Sequence, residues 1–348
     1  MAFDSLRAQG GFVLAMTLWL LAAVAVATGS MMLWAMTQVE HARIDSERFM
    51  DEVAVSETLD TLLYIASTRE LTLAGLPLEP LDEDEVAIRL LDEMGGLSKE
   101  PIGGELRLDG TRYMGRGDAS FAIQDEAGLF SLVWPPPDWL ARFLQAEGVD
   151  PEKISRLHDT LLDYIDSDDL VRLHGAESRE YEREHRQPPP NRVLLLPSEL
   201  SRIQGWDSLP VEQLQRIVSH MTVYYSGSVN LNTSPDSLLQ VWIPHCPEGC
   251  DAIVRRREQS PLLSSSEVEL LAGGDLPGDD VLDYRFTAGD VLRFDVWGRT
   301  GRGRRYHVKL TPLADQRGPW LILAAYPVDR PADDDIAKAT SSPLLAGP

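Results

Sequence analysis

The amino-acid sequence predicts an α+β protein: a long N-terminal apolar helix, an antiparallel sheet, and a large all-α domain inserted between the two parts of that sheet. Three observations carry this reading. Residues 12–36 contain no charged side chain. Two separated stretches, 104–134 and 284–328, alternate apolar and polar residues between Gly-containing turns, the period of half-buried strands. Between them the chain reads as short helices opened by Ser, Asp or Pro. With 348 residues there is room for two folded lobes, since domains commonly hold roughly 100–200 residues.

The elements follow in order. A short polar leader, residues 1–11, carries Asp4 and Arg7 and ends at Gly10-Gly11. The apolar stretch Phe12 to Met36 would form about 37 Å of helix at 1.5 Å per residue, enough to cross a hydrocarbon core of about 30 Å. A cleaved secretory signal would have a shorter apolar region, typically about 7–15 residues. Although Ala23-Val24-Ala25-Val26-Ala27 imitates a cleavage site, apolar sequence resumes at Met31. Helical spacing continues through Val53, Leu59, Leu62, Leu63 and Ala66, so one helix should run on and stop near Gly75-Leu76-Pro77.

An acidic helix is expected near Asp82 to Met94, and the first strands by Trp134. Residues 37–134 thus hold the rest of the long helix and the first part of an α/β domain, 135–283 the helical insertion, and 284–328 the returning strands. The tail, 329–348, is rich in Pro, Ala and Asp and is expected to be disordered.

Charge excludes one class of partner. Against 55 Asp and Glu stand 32 Lys and Arg, a net −23, which repels phosphate backbones. Nucleic acid is therefore not expected as a partner. Cys246 and Cys250, separated by Pro-Glu-Gly, suit a local disulfide in an oxidising compartment; the alternative, a zinc site, lacks a second ligand pair.

The densest acidic cluster runs from Asp163 to Glu184 and holds Asp163, Asp166, Asp168, Asp169, Glu177 and Glu180. Hard cations such as Ca²⁺ take six to eight oxygens at about 2.3–2.6 Å, and carboxylates at a helix end could supply them; on composition alone a solvated acidic face is the plainer reading. The spacing is not that of an EF-hand. No triad, metalloprotease motif or nucleophile elbow is present, so the chain is not expected to be an enzyme.

Five stretches together resemble one family. The leader ending at Gly11, then Phe12 and an unbroken apolar helix, is similar to the prepilin-type signal of type IV pilins and type II secretion pseudopilins. Ile123–Leu132, "IQDEAGLFSL", resembles the V-x-D-E-x-G-K-I-N-L strand of the K-type minor pseudopilin of type II secretion (general secretion pathway protein K). Asp163–Asp169 with Gly175-Ala176-Glu177 and Tyr181 is similar to its D-W-x-D-x-D … G-A-E … Y segment, Tyr164 replacing Trp. Asn191–Trp206 and Ser228–Trp242 resemble two further segments, in the same order.

The resemblance implies a pilin helix continuing into a pseudopilin sheet with an inserted helical domain that binds Ca²⁺ through the acidic cluster. It implies cleavage by prepilin peptidase after Gly11, methylation of Phe12, and a single-pass place in the bacterial inner membrane with the globular part in the periplasm. I- and J-type minor pseudopilins and the pseudopilus would be the partners, and the role would be to cap the pseudopilus tip and nucleate its assembly. Met16 stands fifth from Phe12, where major subunits carry Glu. A charge in hydrocarbon is costly unless paired, so its loss suits a terminal subunit.

A second resemblance, of residues 229–271 to helix-hairpin-helix DNA-binding proteins, would make this a membrane-anchored periplasmic DNA receptor. Such hairpins hold phosphate on the N–H groups of a Gly-rich turn. Here the turn reads "IPHCPEGCDAIV", and Arg255, Arg256 and Arg257 would point three ways from a helix.

Overall fold

The computed structural model describes residues 10–80, 99–279, 282–299, 303–311, 318–329, 336–337 and 345. Helix α1 spans Gly10–Thr68. Its N-terminal part, up to Val53, forms one compact unit, and Ala54 onward a second. In the first unit the apolar residues face outward, Phe12 being 72% and Trp19 78% exposed. The hydroxyls of Thr17, Thr28 and Ser30 turn back onto the carbonyls of Leu14, Val24 and Ala27, each at 2.9 Å. With hydroxyls and backbone both satisfied inside the helix, the surface offered outward is apolar, as a membrane or a packed helix bundle requires.

In the second unit, Leu59, Leu62, Leu63, Ile65 and Ala66 of α1 are buried. They pack with Leu76, Leu106, Phe121, Ile123, Phe294, Val296 and Val308 in one core. The helix ends at Thr68, earlier than the Gly75-Leu76-Pro77 stop. The intervening residues are taken by another pairing: Leu76 and Leu106 exchange backbone hydrogen bonds at 2.9 Å, and Leu73 donates to the Lys99 carbonyl at 2.8 Å. Gly75 permits this approach, because a Cβ there would stand 2.0 Å from the Leu106 oxygen. The expected acidic helix at 82–94 lies outside the described residues.

The sheet has six strands: β1 (Asp109–Met114), β2 (Ser120–Asp125), β7 (Val291–Trp297), β8 (Gly303–Leu310), β9 (Trp320–Val328) and β10 (Ile336–Ala337). Their order is β10-β1-β2-β7-β8-β9. From β1 to β9 the pairings are antiparallel, and β10 lies parallel to β1. β2 and β7 are neighbours, Ala122 facing Asp295, although Asp125 and Val291 are far apart in sequence. Everything between them leaves the sheet and returns to it.

Of the tail expected to be disordered, residues 329, 336–337 and 345 are described and the rest lies outside the described residues. Ile336 and Ala337 pair with Arg112 and Tyr113, and Leu345 is buried in the sheet core. The open edge of β1 offers unpaired backbone groups, and a leucine gains by entering the core.

The excursion holds helices α2 (Pro137–Ala146), α3 (Pro151–Ile165), α4 (Ser178–Arg183), α5 (Val211–His220), α6 (Leu239–Trp242), α7 (Glu248–Gln259) and α8 (Ser265–Ala272). Two-residue parallel ladders, β3 (Phe130–Ser131) with β4 (Met221–Thr222) and β5 (Val229–Asn230) with β6 (Tyr284–Arg285), tie it together. It has its own core, built on Leu140, Phe143, Leu157, Leu161, Trp206 and Ile253. Asp150 caps α3 on the Glu152 N–H at 3.1 Å and Ser264 caps α8 on Glu267 at 3.3 Å, as these residue types do.

Candidate metal centre

Asp163 lies in the last turn of α3, Asp166 follows as its C-cap, and Glu177 is the N-cap of α4. The loop between the two helices folds back so that these three buried carboxylates offer oxygens within 4.8 Å of one another. Gly175 makes the fold-back feasible: a Cβ there would lie 1.8 Å from Asp163 Oδ2.

One cation is already at the cluster. Arg172 Nη1 donates to Asp163 Oδ1 and Asp166 Oδ2, each at 2.5 Å, and its backbone N–H donates to Asp163 Oδ2 at 3.1 Å. A single guanidinium leaves acceptors over: Asp166 Oδ1 and both carboxylate oxygens of Glu177 are buried with no hydrogen-bond partner. Burial first, then repulsion from Asp163 and Asp166, pushes the Glu177 carboxyl up to about 7; burial also raises Asp163. Orphaned buried oxygens beside two further carboxylates are what a hard cation needs, so the donor set fits Ca²⁺.

The other three carboxylates stand apart from this group. Asp168 is exposed and caps the Leu170 N–H at 2.8 Å. Asp169 reaches Ser178 Oγ and Asn191 Nδ2, both at 3.4 Å. Glu180 accepts the Glu177 N–H at 3.3 Å, closing the first turn of α4, and pairs with Arg183. Two residues in this neighbourhood escaped the sequence reading: Arg172, and Asn191, whose side chain donates to the Asp168 carbonyl at 3.1 Å. Their only signal was position, Arg172 inside the acidic run and Asn191 at the start of a segment singled out for another reason.

The comparisons with known proteins bear on this lobe. Residues 135–223 match a family model described as Type II secretion system (T2SS), protein K. Over these residues, a minority of its length, the chain is similar to the type II secretion protein K family. A chain in the crystal structure of the GspK-GspI-GspJ complex from the enterotoxigenic Escherichia coli Type 2 Secretion System shares the fold. It has a TM-score of 0.51 and 14% identity over 84% of this chain and 99% of its own. No curated protein matches the chain.

Outside the acidic loop, two segments singled out by sequence meet at one residue. The Asp125 carboxylate is fully buried and accepts four hydrogen bonds: from the Ala127 and Gly289 N–H groups at 3.0 Å, and from Asn230 Nδ2 and Thr233 Oγ1 at 2.9 Å. Gly128 lets the chain pass, since a Cβ there would meet the Thr233 oxygen at 2.5 Å. The "IQDEAG" and "VNLNTS" segments are thus the joint between sheet and helical lobe.

Cys246 and Cys250 form a disulfide, their Cα atoms 5.1 Å apart. Gly11 lies within α1, which runs unbroken past it into Phe12. Of the three consecutive arginines, Arg255 is exposed and Arg256 pairs with Glu267 at 2.7 Å. Arg257 is buried, donating to the carbonyls of Leu231 at 2.9 Å and Ser234 at 2.6 Å. They form no common face for a phosphate backbone.

Proposed function

We propose that this chain is a minor pseudopilin that caps the tip of the type II secretion pseudopilus and nucleates it with I- and J-type minor pseudopilins. The observation that carries the reading is the pairing of an outward-facing apolar helix with a helical lobe inserted between β2 and β7. The helix can pack against other pilin helices, helped by Ala22, Ala23, Ala25, Ala27, Gly29 and Ser30, which let backbones approach closely. The lobe is too bulky to lie beneath another subunit. In this reading prepilin peptidase cleaves after Gly11, Phe12 is methylated, the helix sits in the inner membrane before assembly, and the globular part faces the periplasm. The role is assembly rather than catalysis.

Ca²⁺ would be held by Asp163, Asp166 and Glu177, supplying positive charge to three crowded carboxylates. Such neutralisation would fix the α3–α4 loop, with Arg172 moving aside or sharing the oxygens.

The test is co-expression with I- and J-type pseudopilins. The full chain should be recovered with both, and Ala23→Leu together with Gly29→Leu, on the exposed helix, should weaken recovery while leaving the globular fold intact. Recovery of the chain alone from a membrane holding both partners would refute the reading.

A further inference from the structure

Between β3, the start of α2, the Tyr225–Val229 segment and β6 lies a cleft of ≈ 270 Å³, small for a ligand pocket, where about 300–1,000 Å³ is usual. Six aromatic side chains line it: Phe130, Trp134, Trp139, Tyr225, Trp242 and Tyr284. Among the described residues Asp283 is the one charged residue in the lining, and Asp279 stands beside it, its N–H donating to Asp283 Oδ2 at 2.7 Å. Trp139 and Asp283 are held together over Gly278, where a Cβ would meet Asp283 Oδ2 at 2.3 Å and the Trp139 ring at 3.2 Å.

Trp134 is 48% exposed and Leu282 72%, both at the cleft. Trp134 also has a φ of +55°, a left-handed conformation costly for a bulky residue and concentrated at ligand sites. The rest of the joint has settled partners. Tyr284 Oη donates to the Pro277 carbonyl at 2.7 Å, and Tyr225 Oη accepts from Arg285 at 3.0 Å while donating to Ser228. These hydroxyls are engaged, so what the tyrosines offer a ligand is ring surface.

Aromatic faces attract cations through the ring quadrupole, and a carboxylate selects the same sign. An anion would meet Asp283, and a neutral apolar group would cover that carboxylate without pairing it. The chain itself shows the preference: the Arg142 guanidinium stands 5.5 Å from the Trp139 ring centroid, although Arg142 is not part of the lining.

We propose that this cleft binds the guanidinium or ammonium group of an Arg or Lys side chain presented by another polypeptide, with the rings around the charge and Asp283 as counter-ion. The volume suits one side chain. The exposed Trp134 and Leu282 suit apolar residues flanking it, and the net charge of −23 favours a cationic visitor. This inference does not depend on the assembly role or on calcium.

The experiment uses the full chain in detergent and reads tryptophan fluorescence and calorimetric titration with three probes: Ac-Ala-Arg-Ala-amide, its neutral citrulline counterpart, and tetramethylammonium. The arginine peptide should bind saturably and the citrulline peptide at least about tenfold more weakly, the order expected for losing a charged partner. Asp283→Asn should erase that difference. The exposed Arg142→Gln, which leaves the core alone, should tighten the arginine peptide several-fold by removing a competing cation. Equal binding of both peptides, or no response to Arg142→Gln, would overturn the proposal. Tetramethylammonium binding as tightly as the peptide would overturn the assignment to a polypeptide side chain.

Discussion

Replacing Asp125 by Ala tests the joint between sheet and lobe. In the native chain this buried carboxylate satisfies four donors: Ala127 N–H, Gly289 N–H, Asn230 Nδ2 and Thr233 Oγ1. Truncation strands three of them where solvent is scarce and leaves Thr233 Oγ1 only a 3.4 Å contact with the Asn230 carbonyl. A buried donor left unsatisfied costs about 1–3 kcal/mol, but the donors share one acceptor and can relax together, so the sum overstates the loss. Allowing for that relaxation, the equivalent of two or three unsatisfied donors gives an expected loss of about 3–5 kcal/mol. For a folded unit of this size each kcal/mol moves the melting midpoint by about 2–4 °C, giving a fall of roughly 6–20 °C. The control is Asp118→Ala, which removes only a 3.8 Å surface pair with Arg299; such pairs contribute about 0–1 kcal/mol. Circular dichroism melts of the detergent-solubilised chain measure both. If Asp125→Ala melts within about 2 °C of the parent, the four-bond network does not hold the lobe to the sheet.

Two further outcomes follow from the same geometry. Calcium at about a hundred times its Kd should raise stability by about 2.7 kcal/mol, and chelator should reverse this. Glu177→Gln, which removes a carboxylate held unfavourably charged by burial and repulsion, should raise the metal-free midpoint and abolish the calcium response; a calcium response that survives would remove Glu177 from the site. The second outcome concerns His307, which bonds Glu126 at 2.5 Å and Tyr326 at 2.9 Å under the Tyr224 ring. Burial holds its imidazole below the ordinary value, against the pull of Glu126, with Arg293 and Arg305 nearby adding to the depression. As pH falls below about 6.5 the unfolded chain takes up the proton first, so this residue's contribution to stability falls by at most about 1.4 kcal/mol per pH unit. Denaturant titrations at pH 7.5 and 5.5 should show a smaller pH loss in His307→Gln; an unchanged loss would refute the assignment.

Much of this was legible in the sequence because it rests on local rules. The charge-free run from Phe12, the alternation in β7, β8 and β9, and the Asp150 and Ser264 caps each depend on neighbours within a few residues. The helix end was misread because Gly75 and Pro77 looked like the stop, whereas long-range pairing of Leu76 with Leu106 had already claimed the chain. The tail strand escaped for a similar reason: two residues find an open edge formed by a segment more than two hundred positions away. In the acidic cluster the sequence supplied six candidates but not their convergence. Which three meet depends on the turn after Asp166, on Gly175 leaving room, and on Arg172 folding back.

The most direct measurement is the mass of the mature N-terminal peptide, from the chain expressed together with a prepilin peptidase. An account in which the apolar helix is kept as the packing element of a pseudopilus predicts that the polypeptide begins at Phe12, carrying one added methyl group. A polypeptide that begins downstream of Met36, with the helix removed, would contradict it.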